Sequence, residues 1–176
     1  MYAFSFGQVI VPKLENSSED KIFTNDPVIK SLIHKSNVIL MYRKVNHTIP
    51  NSEASYDFNV VNLQPNGRWN YYKLKQGKNK KILVGSKVSQ DTLKQIYQAF
   101  IDNDLFGLKT SLQITDTCSR DLIGGGSYEF RILTQLQYKQ LDYYMPEYYE
   151  QYCPGNRERQ KIIKCAKSIF KLKDIR

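Results

Sequence analysis

Two cysteines set symmetrically about a turn constrain this chain more than any other feature. Cys118 and Cys153 flank two strand-like runs, Tyr128–Leu133 and Tyr138–Met145, joined by a turn near Thr134–Gln137. Facing residues of a hairpin share one positional sum. The two cysteines sum to 271, and their midpoint, 135.5, falls inside that turn. Extending the ribbon symmetrically would bring the thiols face to face, within the roughly 4.4–6.8 Å Cα separation that a disulfide needs. Closing a loop of this length stabilises by about 3–4 kcal/mol in an oxidising compartment. The plainer alternative is two buried free thiols in a reducing cytosol. Cys165 lies on the apolar stripe of a C-terminal helix and reads as a small core residue. The three cysteines form no C-x-x-C pair, and two histidines do not complete a zinc site with them.

A chain of 176 residues suits one domain. Its 41% hydrophobic content is modest, but 13 Tyr and 8 Phe supply bulk for a core. No stretch approaches the ~18 uninterrupted apolar residues of a spanning helix. Asp26-Pro27 reads as an N-cap and first helical position before Val28, Ile29, Leu32 and Ile33, with Asn37 closing the helix. Val38–Tyr42 is a short apolar strand, and His47 lies in a polar loop. Tyr56, Phe58 and Val60 alternate with polar residues, Pro65-Asn66-Gly67 makes a turn, and Trp69–Leu74 and Ile82–Val84 continue an antiparallel meander. Ser89 caps a helix with Leu93, Ile96, Tyr97, Phe100 and Ile101 on one stripe, after which Leu105, Phe106 and Leu108 tuck into the core. The hairpin, a tyrosine-rich loop and a helix from about Asn156 to Lys171 complete the order. The expected fold is α+β: an antiparallel sheet of about five to six strands with helices packed on one face.

Residues 1–25 form an N-terminal segment and residues 26–176 the domain. Ser5-Phe6-Gly7 places small residues at −3 and −1 of a cut before Gln8. The segment therefore reads either as the tail of an export signal whose basic start is missing, or as an apolar first strand.

Motifs for chemistry are weak. Gly124-Gly125-Gly126 precedes a strand rather than a helix, which disfavours a phosphate loop. His34 and His47 belong to no metal-binding or nucleophile motif, and Asp116 and Asp121 beside Cys118 suit turn capping better than acid–base work. No catalytic residue, metal or cofactor is expected. Tyr143, Tyr144, Tyr148, Tyr149 and Tyr152 form a dense aromatic run around Pro146, suited to stacking on a sugar or a protein, or to covering a sheet edge. The surface to test comprises Tyr144, Tyr148, Tyr149 and Tyr152 with Arg157 and Arg159. Basic residues concentrate in the meander (Lys73, Lys75, Lys78, Lys80, Lys81) and from Arg157 to Arg176, within a formal charge of +9. They fit a solvated face, an anionic lipid or polysaccharide, or, less well, nucleic acid.

From Tyr56 to Lys171 the succession of Pro-Asn-Gly turn, Ser89-capped helix ending at Asp104-Leu105-Phe106, loop Cys118, hairpin, Cys153-Pro154 and closing helix resembles small exported bacterial domains of unknown function. The resemblance implies a periplasmic or lipoprotein-like module without established catalytic residues. A lipid-anchored member would carry an amino-terminal cysteine, and no cysteine precedes Cys118. The expectation is thus an exported, non-enzymatic binding or structural module of the cell envelope. The alternative is a cytoplasmic basic protein that binds nucleic acid or inhibits a toxin-like partner.

Overall fold

The computed structural model describes residues 11–15, 17, 24–46, 57–76, 81–110, 118 and 125–170. The Met1–Gly7 segment, His47, Lys78, Lys80, Asp116, Asp121, Gly124 and the basic residues after 170 lie outside them.

Helix α1 (Pro27–Ile33) starts where Asp26 accepts hydrogen bonds from the Val28 and Ile29 amides, with proline at its first position. It closes at His34, earlier than Asn37, whose amide already donates to the Leu63 carbonyl (2.8 Å). The strands follow as β1 (Val38–Asn46), β2 (Phe58–Leu63), β3 (Trp69–Gln76) and β4 (Lys81–Ser86). Helix α2 (Gln90–Asp102) begins at a Ser89 cap, and the hairpin strands are β5 (Gly126–Thr134) and β6 (Tyr138–Tyr144). Helix α3 (Pro146–Tyr152) and helix α4 (Arg157–Phe170) end the order. The six strands make one antiparallel sheet, ordered β4-β3-β2-β1-β5-β6. The α+β class and strand number are those expected.

Strand β1 lies inside the sheet, which explains its unbroken apolar run: every residue from Val38 to Tyr42 is at most 3% exposed. A central strand buried on both faces has no reason to alternate with polar residues. Its Val38, Leu40 and Tyr42 join Phe130, Ile132, Leu141 and Tyr143 against α2 and α4. Its Ile39 and Met41 pack on the other side with Phe58, Val60 and Leu74, where Ile29 and Leu32 of α1 cover them. Helices thus sit only partly on one face: the two long ones share it, and the short α1 closes the reverse.

The hairpin is in the register read from the sequence. Ser127 faces Tyr144, Leu133 faces Tyr138, and every pair between shares the sum 271. Thr134 and Gln137 close the turn through an amide-to-carbonyl bond of 2.9 Å. The Pro65-Asn66-Gly67 turn also forms, with Gly67 at φ 77° and its amide donating to the Gln64 carbonyl. Besides the end of α1, three elements differ. Strand β1 runs on to Asn46, the tyrosine-rich loop is largely the helix α3, and β6 stops at Tyr144, nine residues before Cys153. The ribbon therefore does not extend to the cysteines.

Candidate binding surface

The corner after β6 is built by backbone geometry first. Met145 turns the chain with a left-handed conformation (φ 43°, ψ 48°), while its amide still donates to the Gly126 carbonyl (2.7 Å). Pro146 then occupies the first turn of α3, where its missing N–H costs nothing. Met145 lies directly over Gly125: a Cβ at that glycine would stand 2.1 Å from the methionine Sδ. Gly125 thus serves the close packing of Met145.

Helix α3 arrays the tyrosines. Tyr148 and Tyr152, one turn apart, bring their rings to 4.3 Å; Tyr148 meets Tyr149 edge-on at 6.0 Å; Tyr149 reaches Tyr144 of β6 at 6.5 Å. The four rings form one continuous aromatic strip across helix and strand. Tyr152 is 47% exposed, and the other three are half-buried. Tyr143, their sequence neighbour, points to the opposite face, where it is buried and its hydroxyl donates to the Lys109 carbonyl. Alternation along β6 thus sends Tyr143 to the core and Tyr144 to the strip.

The strip is anchored by a covalent and an ionic clasp. Cys153 caps α3, its amide donating to Tyr149 carbonyl (2.8 Å), and is bonded to Cys118 with a Cα separation of 5.9 Å. The disulfide expected from the sequence is present. However, its partners are a helix end and a loop position, not opposed strand neighbours. Beyond it, Asn156 caps α4 by accepting from the Arg159 amide (3.1 Å). Glu150 accepts from the Gly155 amide (2.9 Å) and Gln160 (2.7 Å), and pairs with Arg159 at 3.5 Å. Burial pushes the Glu150 carboxyl up, but the bonds from Gln160 and Gly155 and the Arg159 charge outweigh it and hold it below the usual range.

This network moves one expected surface residue inside. Arg159 is 4% exposed, and its guanidinium donates to the Cys153 carbonyl. It positions the α3–α4 corner and offers nothing to a ligand. Arg157, in contrast, is exposed at the start of α4, on the same corner. Along α4, Lys164 and Lys167 are also exposed, whereas Lys161 pairs with Asp104 (3.0 Å).

The remaining candidates have structural roles or none described. His34 is the cap of α1. Cys165 is fully buried, and burial pushes its thiol up to about 12, so it stays protonated. Among the described residues, no three His, Cys, Asp or Glu come together as metal ligands, and no helix is long and apolar enough to cross a membrane.

Sequence reasoning missed two buried charged groups. Glu129 of β5, 3% exposed, lies between Arg43 of β1 and Arg131, whose Nε donates at 2.6 Å. Both guanidinium groups sit over the Phe58 ring, at 4.5 and 5.2 Å. Glu129 and Arg131 two apart in a strand was the only local hint. Lys139 of β6 is fully buried, its Nζ donating to the Phe106 carbonyl (2.7 Å) just beyond α2. Burial pulls its ammonium down to about 8, against the opposing pull of Asp104, Glu15 and Glu158.

No protein-family model and no curated protein matches this chain.

Proposed function

We propose that this chain is an exported binding module of the cell envelope, acting by contact rather than by catalysis. Its ligand surface is the strip of Tyr144, Tyr148, Tyr149 and Tyr152 with Arg157. The observation that carries this reading is the joining of that strip to a disulfide: the bond holding α3 in place lasts only where thiols are oxidised. Four tyrosines in ring-to-ring contact offer apolar faces with polar tips at low entropic cost. Such faces stack on sugar rings, and the neighbouring Arg157 supplies a cation, so an anionic envelope glycan is the ligand the surface suits best.

Two measurements test it. Protein purified from its native source with thiols blocked should gain two hydrogen masses on reduction; three freely alkylated cysteines would end the export reading. Co-sedimentation with purified cell-wall sacculi should be lost in a Tyr148→Ser/Tyr152→Ser variant with unchanged circular dichroism; equal sedimentation of both proteins would remove the strip from consideration.

A second reading rests on α4, where Arg157, Lys164 and Lys167 are exposed. A duplex DNA probe bound with a steep loss of affinity on adding salt, unaffected by the tyrosine substitutions, would favour a nucleic-acid partner instead.

A further inference from the structure

Strand β4 ends one side of the sheet, and its outer edge lacks the usual protection. Among the described residues it pairs with β3 alone. Alternate amides and carbonyls of such a strand point away from the sheet, ready to pair with another chain. Natural sheets guard an edge like this with charges, proline, a bulge or a covering element. Here the run Ile82-Leu83-Val84-Gly85-Ser86 holds neither charge nor proline. Every pair from Tyr71–Ser86 to Gln76–Lys81 keeps one register, so no bulge twists the edge away. Lys81 is the one charge on the strand, and its ammonium is drawn to Asp26 at 2.6 Å. Ile82 (47%), Val84 (40%), Gly85 and Ser86 are all exposed. The ladder stops at Ser86, beyond which the Gln90 side chain bonds the Trp69 amide (2.9 Å) and carbonyl (2.8 Å) in place of a strand.

The side chains at this edge define what suits it. Ile82 lies opposite Lys75 and Val84 opposite Lys73, on one face of the sheet, and both lysines are exposed. Leu83 turns to the other face and packs on the core of Leu74, Ile29 and Leu32. Two apolar side chains thus stand in solvent at the rim with two cations behind them. Lys87, also exposed, follows the strand. The nearby carboxylates are Asp26, which pairs with Lys81, and Asp57, one residue before the Phe58 that faces Leu74. The edge is therefore apolar along its middle and basic around it. A second copy suits it poorly. Laid antiparallel, two β4 strands bring Lys81 and Lys87 of one toward those of the other, between chains of formal charge +9. A strand that carries carboxylates meets the opposite condition.

We propose that the outer edge of β4 takes up an extended, acidic segment of a partner protein as a further strand of the sheet. Main-chain bonds to β4 hold the segment, its apolar side chains pack beside Ile82 and Val84, and its carboxylates meet Lys73, Lys75 and Lys87. With strands about 4.8 Å apart, the added strand stands about 10 Å from β3, a gap that a lysine and a glutamate extended toward each other can span. This edge lies across the sheet from β6 and the tyrosine strip, so both surfaces can be occupied at once.

The probe is a short labelled peptide alternating glutamate and valine, added to the full oxidised chain. Anisotropy measures its affinity, and amide hydrogen exchange followed by NMR shows where it lies. The expected result is saturable binding with new protection confined to β4. The same peptide N-methylated at alternate residues cannot pair as a strand and should not bind. A peptide with lysine in place of glutamate should bind at least tenfold more weakly, on the order of one lost charge pair. Ile82→Ser/Val84→Ser, both exposed positions, should weaken binding by about tenfold with unchanged circular dichroism. Equal affinity for the methylated peptide or for the lysine peptide, or no protection on β4, overturns the proposal. So does a concentration-dependent dimer of the chain alone that protects the same amides, which would make a second copy the occupant.

Discussion

Lys139→Met should stabilise this protein at neutral pH, by an amount that fades as the pH rises. In the folded chain the Lys139 ammonium, fully buried, is pulled from 10.5 down to about 8. Between those values the unfolded chain binds more protons than the folded one, so stability rises with pH. At ~1.4 kcal/mol per pH unit, the full difference corresponds to about 3 kcal/mol lost below the folded value. Methionine fills similar space without charge. The Phe106 carbonyl that loses Nζ keeps the Glu15 amide as a donor (3.3 Å), so little is orphaned. The variant should therefore be more stable by about 2 kcal/mol at pH 7, after about 1 kcal/mol for the lost hydrogen bond. By pH 9 that gap should shrink by about 1.4 kcal/mol. The comparison of the two proteins isolates Lys139, because other groups titrate alike in both. Cys165 and the buried Tyr42, Tyr97 and Tyr143 are raised acids, so their contributions are lost on going alkaline and cancel in the difference. Urea unfolding followed by tryptophan fluorescence at pH 7, 8 and 9 provides the free energies. Parallel pH profiles, or a variant less stable than the parent at pH 7, would refute this account of a charged lysine held in the core.

Replacing Cys118 and Cys153 with serine frees a loop spanning 35 positions, and should cost about 4 kcal/mol of unfolding free energy at the denaturation midpoint. The same change should abolish envelope-polymer binding before it unfolds the sheet, which circular dichroism separates from sedimentation. Asp26→Ala should lower stability by about 1–2 kcal/mol, since Asp26 caps α1 and pairs with Lys81 at 2.6 Å. Burial raises the Asp26 carboxyl, but the hydrogen bond and charge of Lys81 and the bonds from the Ile29 and Val28 amides together hold it below the usual 3.8. Its contribution is therefore present above that value and lost on acidification, and thermal melts of parent and variant should converge toward pH 3.

What local chemistry determines was open to reading from the residues alone. The Asp26 and Ser89 caps, the Pro65-Asn66-Gly67 turn and the hairpin register each depend on groups a few positions apart, and all are found. The symmetry of Cys118 and Cys153 about the turn identified the correct bond, although the chain leaves the ribbon after Tyr144 and delivers Cys153 on a helix. Helix α3, PEYYEQY, has no aliphatic stripe and no side-chain cap to announce it, unlike the equally short α1, and tertiary contacts rather than propensity hold it. Which face each helix covers, the burial of Arg159, the Arg43–Glu129 pair across 86 positions and the Gln90 bridge to Trp69 were decided only on folding. The Arg43–Glu129 pair joins residues far apart in the chain, and Arg159 is enclosed only once α3 and α4 meet at their corner, so neither neighbourhood encodes the outcome; desolvation and geometry settle it once the elements are assembled.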